Sequence, residues 1–124
     1  MTRTCYSTTT HARANVERTI SRTGSTVRLE VRRAGGMLAS HVLRGEDLDH
    51  MAVACAIATC GRPAFVRVAT LPRPRGAHLE IIADSTPRVL VGRYEHGVLV
   101  HGFGAEAEEL DALARAVADA RGAT

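Results

Sequence analysis

The chain contains no lysine, no glutamine and no tryptophan, and its single asparagine is Asn15. All 16 of its basic residues are therefore arginine. Arginine keeps its charge at any pH and forks onto carboxylates and phosphates, so an all-arginine surface suits anion binding. A GC-rich genome produces the same alphabet with no functional demand. The abundance of Ala and Gly points to that origin, in a high-GC bacterium or its phage. No run of 18 apolar residues occurs, which excludes a membrane-spanning helix. The opening MTRTCYSTTTHARANVERTI lacks the apolar middle of a signal peptide. Three cysteines, Cys5, Cys55 and Cys60, form no paired framework and fit a reducing compartment. A cytoplasmic protein with no membrane partner is expected.

Chemistry-bearing motifs are missing too. There is no nucleophile elbow, P-loop, dinucleotide fingerprint or HExxH. Cys55 and Cys60 would sit about 140° apart on a helix and cannot share a metal there. No CxxC or HxxxH spacing exists. Neither a metal site nor a cofactor nor an enzymatic activity is expected.

What is present is an ordinary globular composition, 45% hydrophobic and 23% charged over 124 residues, enough for one domain with its own core. STVRLEVRR (25–33) alternates apolar and charged residues as a half-buried strand does, and MLASHVL (37–43) returns after AGG. Gly45 stands at an N-cap position ahead of the acidic, then apolar EDLDHMAVACAIATC, with Gly61 and Pro63 at its end. A second strand group follows: AFVRVATL (64–71), HLEIIA (78–83), RVLVGRY (88–94) and GVLVHGF (97–103). PRPRGA (72–77) is a rigid connection, since its prolines exclude helix and interior strand. AEAEELDALARAVADARG closes the chain as an amphipathic helix with the stripe Leu110, Leu113 and Val117.

The two halves resemble each other. A shift of 60 matches Arg28 to Arg88, Val31 to Val91, Arg33 to Arg93 and His41 to His101; two further residues at the strand-to-helix joint match Leu48 to Leu110 and Asp49 to Asp111. Extended backwards, CYSTTT (5–10) and VERTIS (16–21) become the first two strands of the first half, although the first 12 residues are polar enough to form a flexible tail. The expected fold is α+β, an antiparallel sheet with two helices, as a tandem ββββα pseudo-repeat over 1–61 and 62–124. Each unit then needs a helix or its sister to cover its apolar face.

In element order this arrangement resembles PUR repeats and whirly-type single-strand nucleic-acid binders. The resemblance implies a curved sheet whose exposed face takes single-stranded DNA or RNA. Such a face needs positive charge and stacking platforms. Arg28, Arg32, Arg67, Arg88 and Arg93, with Tyr94, are the candidate nucleic-acid-binding residues. Phe65 and Phe103 are equally readable as core. Net charge follows the same division: residues 1–33 carry +5 and 62–93 carry +4, whereas 34–61 and 94–124 carry −2 and −4. The expected function is that of a small regulatory binding protein with nucleic acid as partner. The rival is a protein-interaction module such as an immunity, inhibitor or chaperone-like factor, acting as a homodimer through the apolar hairpin 97–103. A third reading places a small-molecule or enzymatic site between the halves, near His41 and His101.

Overall fold

The computed structural model describes residues 2–11 and 13–123. Two antiparallel four-stranded meanders are each followed by a helix. The first is β1 (Arg3–His11), β2 (Val16–Thr23), β3 (Thr26–Arg33) and β4 (Gly36–Leu43), leading into α1 (Glu46–Ala58). The second is β5 (Phe65–Pro72), β6 (His78–Asp84), β7 (Arg88–Glu95) and β8 (Val98–Ala105), leading into α2 (Ala107–Gly122). A single 3₁₀ turn, Pro74–Gly76, joins β5 to β6. The tandem ββββα order expected from the sequence is present. Arg3–His11, readable as strand or tail, pairs with β2 along its length; Met1 and Ala12 of that segment lie outside the described residues.

Alternation decides which side of each sheet is covered. Ile20 pairs with Leu29 and Leu29 with His41, so these side chains share one face, together with Val27 and Leu43. In the second sheet Ile81, Val91 and Phe103 form the corresponding row. The helices cover these faces crosswise. α1 lies on β5, β6 and β7, and α2 lies on β1, β2 and β3. Each half therefore supplies the cover for the other half's sheet, and residues of both sheets and both helices merge into one core. Burying a Val, Leu or Ile side chain is worth about 1.5–3 kcal/mol, gained here only when the halves interlock.

The pairing register corrects the 60-residue shift. Val27 pairs with Leu43 and Val89 with Ala105, each sixty-two residues further on. The irregularity between Val31 and Arg32 recurs between Arg93 and Tyr94, and that between Cys5 and Ser7 recurs between Arg67 and Ala69. The same shift carries Leu48 onto Leu110, so no insertion exists at the strand-to-helix joint. His41 is thus the counterpart of Phe103, and His101 of Ala39. A slip of two residues preserves the in-and-out alternation of a strand, which is why the sequence pattern tolerates the wrong register.

Two buried ion pairs pin the crossed helices. Arg18 on β2 forks onto Glu109 in the first turn of α2, at 3.0 and 3.2 Å, and donates to the carbonyl of Gly104. Its guanidinium carbon lies 4.3 Å from the centre of the Phe103 ring. Glu109 also completes a capping box with Glu106. At the counterpart position Asp47, in the first turn of α1, accepts from the Arg73 guanidinium at 2.9 Å and from the Arg44 amide at 3.2 Å. Both buried acids take an arginine from the opposite half. Replacing Arg18 by Leu leaves Glu109 buried and unpaired, and equilibrium denaturation should register a loss of about 3 kcal/mol. Arg18→Leu combined with Glu109→Gln, which keeps the cap, should regain part of it. A double variant no more stable than the single one would show that charge compensation is not what Arg18 contributes.

Candidate functional site

The six residues expected to meet nucleic acid do not form one surface. Arg28 and Arg32 lie on the outward face of the first sheet, in line with Ser21 and Glu17. Arg67, Arg88 and Tyr94 lie on the outward face of the second, and Arg93 points to its covered side beside Leu79 and His101. Four of the five arginines are matched with acids: Arg32 with Glu30 at 3.2 Å, Arg67 with Glu80 at 2.9 Å, Arg88 with Asp84 at 3.1 Å and Arg93 with Glu95 at 3.3 Å. Among the described residues Arg28 has no acidic partner. The candidate residues are therefore split between two sheets and, Arg28 apart, the arginines among them are paired with acids. Three of these acids, Glu30, Glu80 and Asp84, are buried, and their arginines reach them from the solvent side.

The duplicated register exposes a divergence between the two outward faces. Arg28, Glu30 and Arg32 of β3 correspond to Leu90, Gly92 and Tyr94 of β7; Met37 and Ser40 correspond to Leu99 and Gly102. The first face is charged and hydroxylated. The second carries a groove of about 240 Å³ with Gly92, Gly102 and Gly104 in its lining, along with Ile82, Leu90, Tyr94 and Leu99. A β-carbon at Gly92 would come within 3.0 Å of Leu99 and 3.1 Å of Tyr94, so glycine lets both side chains fold down onto the sheet. Tyr94 stacks on His78 with ring centres 5.1 Å apart and planes 4° from parallel. Phe65, on the same face, is 68% exposed, whereas Phe103 is core. The irregularity at Val68 turns Thr70 outward with Arg67, and Ala69 inward. His78 and the three glycines escaped the sequence reading. Glycines inside the apolar strands LVGRY and VHGFG are the signal that marks a close approach to the sheet.

The edge strands β4 and β8 meet between the halves. There the His41 and His101 rings sit edge to face, 6.2 Å apart and at 85°. The two histidines, matched by the 60-residue shift, are neighbours across the halves and not repeat counterparts. The Ser40 amide donates to His101 Nδ1 at 3.3 Å, which satisfies one donor on the edge of β4. His41 is buried, and its Nε2 has no hydrogen-bond partner among the described residues. Burial first, then His101, Arg93 and Arg73, push its pKa down to about 4. Beside it lies a cavity of about 450 Å³ lined in part by Arg44, Asp47, Arg73 and Arg93.

Elsewhere the chemistry is sparse. Cys55 is buried, and burial pushes its thiol up to about 11, so it behaves as a small core residue. Cys5 and Cys60 are exposed and unpaired with each other or with Cys55. Among the described residues no three His, Cys, Asp or Glu side chains stand close enough to hold a metal ion. No helix among them is long and apolar enough to cross a membrane. Comparison with protein-family profiles, with curated proteins and with solved structures gives no match.

The depressed His41 predicts an acid sensitivity. Unfolded, this imidazole takes a proton below its ordinary value of 6.5; folded, it stays neutral until about 4. The unfolded state therefore binds the extra proton in that window, and stability falls as pH drops from 6.5 towards 4, by roughly 3 kcal/mol for this one group. His41→Phe, the residue of its counterpart, should flatten this part of the curve. Urea denaturation of both proteins across pH 4–7 makes the comparison, and parallel curves would refute the assignment.

Proposed function

We propose that this is a non-catalytic binding protein whose second sheet offers its outward face to a single strand of nucleic acid. The observation that carries the reading is the glycine-floored groove beside the Tyr94–His78 stack, on a face that also exposes Phe65. Bases of any sequence can lie on aromatic rings, and Gly92 keeps the Tyr94 and Leu99 side chains low on the sheet, leaving the face open above them. Arg67 and Arg88 border this platform. Each guanidinium holds its buried carboxylate, Glu80 or Asp84, from the solvent side and keeps further N–H donors for a backbone phosphate. The tandem ββββα order supports the same reading, because a four-stranded sheet free on one side is what such a strand requires. The first sheet, with Arg28 and Arg32 but no aromatic in line, contributes only long-range attraction.

Anisotropy of a labelled poly-pyrimidine strand tests this. Tyr94→Ala should weaken binding about tenfold or more, as loss of one stacked base does. Arg67→Ala should weaken it and lower the salt slope by about 0.7. No binding at low salt, or affinity indifferent to Tyr94→Ala, would remove the proposal.

A second reading is favoured by one observation. Met37 and Leu38 on β4 correspond to Leu99 and Val100 on β8, and all four are 42–52% exposed. Apolar residues repeated on two hairpin edges suit association with another chain, in the first instance a homodimer. Light scattering over a concentration series should then give twice the 13.2 kDa of the chain, and Leu99→Glu should return the monomer. A monomer at every concentration would count against it.

A further inference from the structure

We propose that the cavity between the halves, bounded by β4, the Pro72–Pro74 segment and β7, binds a phosphate group carried by a small molecule. Three arginines line it from three separate elements: Arg44 from the β4–α1 joint, Arg73 from the turn after β5, and Arg93 from β7. Asp47 is the one acid in this lining. Its carboxylate is already committed, to Arg73 at 2.9 Å and to the Arg44 amide at 3.2 Å. Glu95, the partner of Arg93, is exposed and stands outside the lining. Positive charge is thus left over inside a concave space.

The shape of the anion follows from the number of forks. One guanidinium satisfies a planar carboxylate through two parallel hydrogen bonds. Three arginines set around one cavity on separate elements suit a tetrahedral oxyanion, which presents oxygens on all sides. The frame is stiff. Pro72 and Pro74 restrict the backbone on either side of Arg73, and the Arg73 amide donates to the Ala77 carbonyl at 2.8 Å, closing the turn. Val42 and Leu79 give the cavity an apolar wall for the organic part of a phosphate monoester. At about 450 Å³ it exceeds what the ion alone needs. His41, in the same lining, is held neutral by burial first and then by His101, Arg93 and Arg73.

This site is separate from the face proposed for nucleic acid, and the two are tested apart. Inorganic phosphate, phenyl phosphate and acetate are titrated into the full chain at constant ionic strength, with His41 followed by NMR. Both phosphates should give a saturable response and shift the His41 titration to higher pH, phenyl phosphate at lower concentration. Acetate should bind at least tenfold more weakly than inorganic phosphate. Arg44→Met and Arg93→Met should each weaken phosphate binding about tenfold or more, whereas Arg28→Met, remote on the first sheet, should not. Intact oligonucleotide binding in Arg44→Met would separate this site from the Tyr94 face. A response that never saturates, that acetate matches, or that survives both Arg44→Met and Arg93→Met would overturn the proposal, as would displacement of phosphate only by oligonucleotide and never by phenyl phosphate.

Discussion

Everything in this structure depends on the exchange of helices between the two halves. A four-stranded meander with one apolar face cannot stand alone in water, and the helix that follows each meander turns away from it to cover the sister sheet. The interlock makes one core out of two incomplete ones. It brings the edge strands β4 and β8 together, and with them His41 and His101. It also explains why the first-turn acids Asp47 and Glu109 are buried: each helix start lies against the opposite half, where Arg73 or Arg18 neutralises it. Such pairs fix orientation more than they add stability, since a buried charge tolerates only the arrangement that compensates it.

Much of this was legible in the residues. Alternation in STVRLEVRR and MLASHVL, glycine in the turns, and acids ahead of apolar stretches placed the strands and helices close to where they lie. The repeat was legible as well, but only up to its register. A shift of 60 rewards identical arginines and histidines, whereas hydrogen-bond pairing and the shared irregularities at Tyr6 and Val68 require 62. No residue announces which sheet a helix will cover, because both sheets present the same kinds of side chain. The partners of the arginines were hidden for a related reason. Glu80 and Asp84 are neighbours of Arg67 and Arg88 only once β5, β6 and β7 are laid side by side.

The candidate sites are the places where the two copies have diverged. One outward face carries charge and hydroxyls; the other has Leu90, Gly92 and Tyr94 where the first has Arg28, Glu30 and Arg32. A duplicated scaffold can hold one face for stability and solubility while the other acquires a groove. The cavity near His41 has no twin either, since Leu79 occupies the position in β6 that Arg18 holds in β2. Arg93 and His101 face one another across β7 and β8, where the first half has Val31 and Ala39.

The exchanged helices also set an order of events during synthesis. Tyr6 on β1 meets Asp119 on α2 across 113 positions of chain, and Arg18 waits 91 positions for Glu109. When the first meander leaves the ribosome, the helix that covers its apolar side is still to be translated, and the helix next in line is destined for the second sheet. Closure of such distant contacts is slow, and uncovered strands invite pairing with other chains. The first sheet is therefore at its most vulnerable until α2 has been made, and a helix supplied by a neighbouring nascent chain would meet the same uncovered face.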